Sequence, residues 1–413
     1  MSGPLAGVRI IDITTVLMGP YATQILGDLG ADVIKVEPPG GDNVRGIGPS
    51  RHAGMGGIFL HANRSKRSIV LDLKQAEGRQ ALLALAATAD VLVYNVRPQA
   101  MARLGLAYED VAAAHPEILY VGVYGFDQRG PYAARAAYDD LIQGAVGIPF
   151  LSQQAGSELP RYAPSAIADR IVGISAAQAI TAGLYHRERT GLGQAIDVPM
   201  FETMAQLILG DHLGGCTFEP PLGPPGYPRI LNADRRPYAT QDGHVCVLIY
   251  SDKQWASFLA LIGRPEMYRD DPRFRDIGTR TRHIHEIYRL VAEILATRTT
   301  AQWLQAFETA DIPAMPMQSI DDLLHDPQLE AIGFFQPVEH PSEGRLRTMA
   351  VASQWSRTPA AGHRPAPRLG EHSIEVLKEA GYGEDAIASL LRRNITRTPP
   401  QDSPLEQSHD SLS

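Results

Sequence analysis

The order of apolar and polar positions is most regular over the first 125 residues, where short β-rich runs alternate with helical spacings. Residues 8–13 read as a strand, and 20–30 carry Tyr21, Ile25, Leu26 and Leu29 at helical intervals before a glycine stop. Residues 33–36 are again strand-like and end at Glu37-Pro38-Pro39-Gly40-Gly41, a strong turn signal. The alternation continues with a strand at 68–73, an Ala/Leu-rich helix at 76–89 and a strand at 91–94 closed by Arg97-Pro98. Two short helical stretches near 100–104 and 108–114 precede a last apolar strand at 118–124. Apolar strands with few charges, separated by amphipathic helices, imply a parallel sheet covered on both faces. The expected fold class is therefore α/β, with a large doubly wound, Rossmann-like domain.

Beyond it the pattern predicts a long helix over 168–187, a glycine-containing stop at 190–193 and a strand at 194–198. Residues 218–228 are dense in Pro and Gly and read as a crossing loop. A hairpin-like unit over 238–251 turns at Asp242-Gly243, and helical patterns follow at 255–262, 282–297 and 301–308. A β-rich stretch at 333–355 and a helical region at 373–392 complete the ordered pattern. The expected division is a large domain at 1–215, completed by 330–393, with a smaller α+β domain at 216–329. Residues 394–413, rich in Pro, Ser, Gln and Asp, are expected to be a disordered tail.

Composition narrows the class of molecule. A chain of 413 residues holds two or three domains at roughly 100–200 residues each. Its formal charge of −8 provides no global positive field for nucleic acid. Two cysteines, Cys216 and Cys246, cannot form a disulfide framework in so long a chain, which points to a reducing, cytoplasmic location. Neither a signal peptide nor a membrane span is apparent, since no window reaches ~18 uninterrupted apolar residues.

Several chemistries are disfavoured by missing residues. A dinucleotide site needs G-x-G-x-x-G after the first strand, but here the turn reads Thr14-Thr15-Val16-Leu17-Met18-Gly19-Pro20. Glu37 stands where a ribose-binding acid would, yet without those glycines it reads as a charged strand end. No Walker A string is present, and Ser175 lacks the second glycine of a nucleophile elbow. Cys216 reads as a small buried hydrophobe rather than a thiolate. His283 and His285, two residues apart on a helix, point to different faces, so no metal site is expected.

Other strings combine into a recognisable order. They are Gly19-Pro20, Leu26-Gly27-Asp28-Leu29-Gly30-Ala31-Asp32 running on to Val36-Glu37-Pro38, and Asn63-Arg64-Ser65-Lys66-Arg67-Ser68. Then come Ala89-Asp90 through Asn95-Val96-Arg97-Pro98, residues 187–194 with their Arg-Thr-Gly-Leu-Gly-Gln ending, and Gly370-Glu371-His372. In this order they resemble the class III CoA-transferases, the family of formyl-CoA transferase and carnitine CoA-transferase. The resemblance runs from about Leu5 to Leu391. It implies CoA transfer from an acyl-CoA to a free carboxylic acid, with CoA as substrate and no tightly bound cofactor. It also implies an interlocked homodimer, with no nucleic-acid or membrane partner.

The family's catalytic aspartate matches Asp169, in Ala166-Ile167-Ala168-Asp169-Arg170 at the start of the long helix. A helix N-terminus is expected to keep that carboxylate ionised, whether as cap or as nucleophile. The family mechanism forms an aspartyl anhydride and then an aspartyl-CoA thioester, a form of covalent catalysis. Backbone N–H groups near Gly19 or a glycine segment would stabilise the oxyanions. By the same resemblance Val16, Leu71, Lys74, Asn95, Val96, Ala100, Arg103 and Tyr138 would contact CoA, with Lys74 and Arg103 meeting its phosphates.

Departures from the pattern bear on substrate. Formyl-CoA transferase has glutamine where this chain has Leu17, arginine where Pro38 stands, and a run of four glycines where Pro220-Pro221-Leu222-Gly223-Pro224-Pro225-Gly226 lies. These differences count against oxalate and formate. Leu17 and Met18 would lie near the acyl group, and Arg170 would suit a C4–C6 dicarboxylate. Acyl-CoA racemases share the fold family but place a histidine at the Tyr138 position, and tyrosine is a poor base near neutral pH. A non-catalytic CoA-binding protein is the third reading.

Overall fold

The computed structural model describes residues 3–360, 362 and 364–400. Six strands form one parallel sheet: β1 (Arg9–Ile13), β2 (Asp32–Glu37), β3 (Lys66–Val70), β4 (Val91–Tyr94), β5 (Leu119–Tyr124) and β6 (Gln194–Pro199). Their spatial order is β3-β2-β1-β4-β5-β6, so the chain winds outward from β1 in one direction and then returns to wind outward in the other. Ile10 and Ile11 of β1 pair with Val33 and Ile34 on one side and with Val91 and Leu92 on the other. All of these side chains are buried, as a sheet covered on both faces requires. The reversal of winding lies between β1 and β4, and a doubly wound fold opens its ligand crevice outside the carboxyl ends of such a pair.

The chain divides into two compact units. The larger comprises the residues up to Ile142, then Ala166–Met204 and the chain from Gly333 onward; the smaller comprises Gln143–Ser165 and Ala205–Ile332. This division departs from the expected 216–329 border at both ends. The helix Ile148–Gln154 and most of the helix Met200–His212 make their contacts with the smaller unit. That unit contains a three-stranded antiparallel sheet, β7 (Tyr238–Ala239), β8 (His244–Val247) and β9 (Ala314–Pro316). Its core is aromatic, built from Trp255, Phe258, Phe274, Trp303 and Phe307. The Trp303 and Phe307 rings stack at 5.3 Å.

The C-terminal region belongs to the larger unit. It holds a hairpin of β10 (Phe335–His340) and β11 (Gly344–Met349). The expected helix at 373–392 is two helices, Ser373–Glu379 and Glu384–Arg392, separated where Gly381 adopts a φ of 86°. Val376, Leu377, Ile387, Leu390 and Ile395 join the core that covers the sheet. The same segment closes the outer edge of β3. His372 N–H donates to the Ser68 carbonyl at 2.9 Å, Val70 N–H to Ser373 Oγ at 3.2 Å, and Asp72 N–H to the Ile395 carbonyl at 2.8 Å. The tail expected from 394 is thus packed at Ile395, which is buried, whereas 401–413 lie outside the described residues.

Charged groups are buried inside the larger unit. Lys35 Nζ donates to Asp42 Oδ2 and to the Thr14 carbonyl, each at 2.9 Å. Lys66 Nζ reaches Asp12 Oδ2 at 3.0 Å, the Pro20 carbonyl and Asn63 Oδ1. Burial works to raise the Asp12 carboxyl, but Lys66, Lys35 and the Thr14 and Thr23 hydroxyls outweigh it and hold it at about 2. Burial lowers Lys66 to about 8 against the attraction of Asp12, so the pair is charged at neutral pH. Breaking such a pair strands its partner. Lys35→Met should therefore cost about 3–5 kcal/mol in the larger unit, read by hydrogen exchange at the amides of β1 and β2; unchanged protection would contradict the network's role.

Candidate active site

The carboxyl end of β1 runs into an irregular loop, Thr14 to Leu17, whose main chain is fixed at three consecutive residues. Thr14 presents its carbonyl to Lys35 Nζ. Thr15 exchanges two hydrogen bonds with the Asn95 side-chain amide, N–H to Oδ1 at 3.0 Å and Nδ2 to carbonyl at 2.8 Å. Val16 N–H donates to Asp42 Oδ1 at 3.0 Å. These bonds hold Val16 at a φ of 70°, a conformation that costs a β-branched residue of order 1–3 kcal/mol. Strain of that kind persists only where the surroundings over-determine it.

The first helix (Met18–Asp28) then starts against the loop, and a close helix contact brings in the rest of the site. A Cβ at Gly19 would lie 2.4 Å from the Thr14 side chain. One at Gly173, in the long helix Ile167–Thr190, would lie 2.8 Å from the Met18 carbonyl and 3.1 Å from the Tyr21 ring. The absence of both side chains lets the first turn of the long helix, which carries Asp169, approach the loop.

A cavity of about 410 Å³ opens there. Of the residues singled out from sequence, Val16, Leu17, Met18, Asn95, Val96, Ala100, Tyr138 and Asp169 line it together. Leu71, Lys74, Arg103 and Arg170 do not. The Leu71 side chain is 1 % exposed within the core over the sheet, so an apolar contact from it to CoA is ruled out in this conformation. Lys74 and Arg103 are exposed, and the Arg170 guanidinium sits 4.4 Å over the Tyr21 ring. Asn95 spends its amide on Thr15 instead of leaving it open to a ligand.

Sequence reasoning missed Arg97, Tyr124, Arg135 and Met200, which also line the cavity. Arg97 follows β4 at the winding reversal, a position that could have marked it. Arg97 Nη1 donates to the Ala134 carbonyl at 3.2 Å, and the Arg135 guanidinium lies 4.0 Å over the Tyr132 ring. Nothing in the local sequence marks Arg135.

The ionisation expected of Asp169 is not what its surroundings favour. Burial pushes its carboxyl up to about 7, repulsion from Asp139 adds to the shift, and Arg170 partly offsets it. A helix N-terminus contributes typically 0.3–1 kcal/mol to a nearby anion, less than the burial opposing it. Asp139, the first residue of the helix Asp139–Ala145, accepts the Asp169 main-chain N–H at 2.9 Å. One carboxylate thus caps the helix bearing the other.

The remaining candidates resolve into structure. Glu37 is buried in a two-point pair with Arg45, 2.7 Å at each contact, and takes the Ser68 hydroxyl. Ser175 Oγ donates back to the Ile171 carbonyl. Both cysteines are free thiols. Among the described residues no cluster of three or more His, Cys, Asp or Glu side chains could hold a metal. No helix among them is long and apolar enough to cross a membrane.

A doubly wound fold with a partly protonated aspartate in its crevice, and without a phosphate-binding glycine turn, defines an enzyme of group transfer rather than of hydride transfer. The chain belongs to CoA-transferase family III, whose model matches residues 5–373. It is a class III CoA-transferase, moving CoA between an acyl-CoA and a carboxylic acid. It is 34% identical over 389 residues to the succinate–glutarate CoA-transferase of Agrobacterium fabrum, covering 91% of this chain and 95% of that protein. It is 33% identical over 393 residues to the succinyl-CoA:mesaconate CoA-transferase of Haloarcula hispanica, covering 92% and 97%. A CAIB/BAIF family protein of Brucella suis, known as a crystal structure, aligns with a TM-score of 0.76 at 30% identity, covering 92% of this chain and all of that one.

A pH profile follows from the carboxyl's surroundings. Attack needs the ionised form, so kcat/KM should climb about tenfold per pH unit below about 7 and level off above it. Asp139→Asn keeps an oxygen for the Asp169 N–H but removes the negative charge, and should move the midpoint to lower pH. A midpoint that stays put would show that Asp139 has no electrostatic effect on Asp169.

Proposed function

We propose that this enzyme transfers CoA from a succinyl-type thioester to another C4–C5 dicarboxylate through covalent intermediates on Asp169. The observation that carries the reading is the meeting of Asp169 with Val16, Leu17 and Met18 in one cavity at the winding reversal of the sheet. The choice of dicarboxylates is supported by relatives named for succinate, glutarate and mesaconate. The apolar Leu17 beside Asp169 is in keeping with an acyl chain longer than formyl.

In this mechanism an Asp169 oxygen attacks the thioester carbonyl carbon, and the C–S bond breaks to release CoA thiolate. The product is a mixed anhydride of Asp169 and the donor acid. The retained thiolate then attacks the Asp169 carbonyl carbon, expelling the donor carboxylate and leaving an aspartyl-CoA thioester. The acceptor carboxylate attacks that carbon in turn and expels thiolate. Thiolate attack on the acceptor's acyl carbon regenerates Asp169. Each step exchanges one anion for another, so no net proton moves.

Two features suit Asp169 to this cycle. A carboxylate whose conjugate acid lies near 7 is more basic, and hence a stronger nucleophile, than an ordinary aspartate, while a useful fraction stays ionised at neutral pH. The first N–H groups of a helix have no intrahelical acceptor, and those of Met18 and Gly19 open the first helix beside the cavity. They are the donors we assign to the oxyanions.

Asp169→Ala should abolish CoA transfer while the circular dichroism spectrum is unchanged, and acyl-CoA plus hydroxylamine should convert Asp169 to its hydroxamate, detected by peptide mass spectrometry. Residual transfer at the wild-type rate, or an unmodified Asp169, would sink the covalent route. Succinyl-CoA offered against mono- and dicarboxylates should favour the C4–C5 diacids.

We further propose that the enzyme works as a homodimer. Ile174 and Tyr185 on the long helix and Leu192 after it are each more than half exposed in the single chain, an apolar surface that association would cover. Sedimentation equilibrium should give twice the chain mass of 44.9 kDa; a single-chain mass at micromolar concentration would rule this out.

A further inference from the structure

A second cavity in the larger unit, of about 180 Å³, shares no lining residue with the Asp169 cavity. One wall follows from strand register. Gln336 pairs with Thr348 and Val338 with Leu346 across β10 and β11, so alternation sets all four on one face of the hairpin, and all four line the cavity. The facing wall comes from the end of the helix Gly57–Ala62, which supplies Leu60 and His61, and from Pro365 and Ala366.

Three guanidinium groups also border it: Arg64, Arg347 and Arg364. Arg64 is already engaged, by Asp28 at 2.7 Å and by the Met349 carbonyl at 2.6 Å, and so serves as part of the wall. Arg347 and Arg364 are different. Both are exposed, and among the described residues neither forms an ion pair or a side-chain hydrogen bond; the Arg347 guanidinium lies 5.8 Å over the Phe335 ring. His61 adds a ring nitrogen without charge at neutral pH, because burial, Arg64 and Arg170 all favour its neutral form.

We propose that this cavity is a second carboxylate site, taking a small aliphatic acid whose chain lies on Val338, Leu346 and Pro365 and whose carboxylate is held by Arg347 and Arg364. Guanidinium groups match a carboxylate through paired N–H donors, which a lone ammonium cannot do. The volume is below the roughly 300–1,000 Å³ of pockets for drug-sized ligands, which excludes CoA itself and sets the occupant at a few carbons. The apolar floor would be left bare by an inorganic anion. Gln336 and Thr348 offer a second polar end, so a short diacid satisfies more of the lining than a monoacid. This assignment rests on the cavity and not on the reaction at Asp169.

The test is calorimetric titration of the full-length protein with glutarate in the absence of acyl-CoA, alongside CoA-transfer kinetics on the same preparations. Binding to the wild type should weaken by about tenfold or more in R347A/R364A, the loss of a charge-assisted contact. Leu346→Phe, which fills the cavity and leaves both arginines, should weaken it as well, while kcat/KM for acyl-CoA is unchanged in both variants. Glutarate affinity equal to wild type in both variants would overturn the site. Transfer falling in step with binding would make the cavity the acceptor pocket of the reaction and overturn its independence. Inorganic phosphate displacing glutarate at equal concentration would reduce the site to a nonspecific anion patch and overturn the aliphatic assignment.

Discussion

The ion pair between Lys35 and Asp42 underlies everything else at the crevice. Both side chains are fully buried, and taking two charges out of water is repaid only when geometry and further hydrogen bonds are good. Here the further bonds go to the loop after β1: the ammonium takes the Thr14 carbonyl and the carboxylate takes the Val16 N–H. Attraction from Asp12, Asp42 and Glu37 holds Lys35 protonated despite burial. The pair and the strained loop therefore stabilise one another. Without the loop's polar groups the charges would be under-satisfied, and without the charges Val16 would relax from its left-handed conformation.

From this anchor the arrangement of the crevice follows in sequence. Asp12, at the next point of the network, takes the Thr14 main chain and the Thr23 hydroxyl of the first helix, and Lys66 ties Asp12 to the Pro20 carbonyl. The helix start is thus set by charges inside the sheet rather than by a capping side chain, which its N-cap residue Leu17 does not supply. Gly173 then lets the long helix lie against that fixed start. Asp169 is brought to the crevice by a rigid contact and is made hard to ionise by the burial that the contact entails.

Much of this was legible in the sequence, in proportion to how far local pattern decides structure. Five of the strands fell within about two residues of their expected limits, because apolar runs bounded by turns leave few alternatives. The third was expected at 68–73 and lies at Lys66–Val70, since Lys66 and Arg67 read as surface charges. They are buried through partners remote in sequence, Asp12 for one, Asp32 and Glu379 for the other. The three-residue β9 and the helices Asp139–Ala145 and Met200–His212 gave too short or too mixed a pattern to be read. At the site, Asp169 was reachable only through the order of motifs around it, since an acid in a first helical turn is ordinarily a cap. Asn95 was recognised as important, but its partner Thr15 lies 80 residues away, and no local rule links them.

The clasp at β3 has a consequence for how the chain is made. The sheet is complete in strands once Pro199 has been synthesised, yet its outer edge is covered by residues near His372, 304 positions beyond the Ser68 they bond. While the ribosome adds the intervening residues, β3 presents open N–H and carbonyl groups, the template for pairing with another nascent chain. The smaller unit is translated during that interval. The last tenth of the described chain acts as a seal on the first half, so premature termination anywhere before it yields a fully wound sheet with one adhesive side.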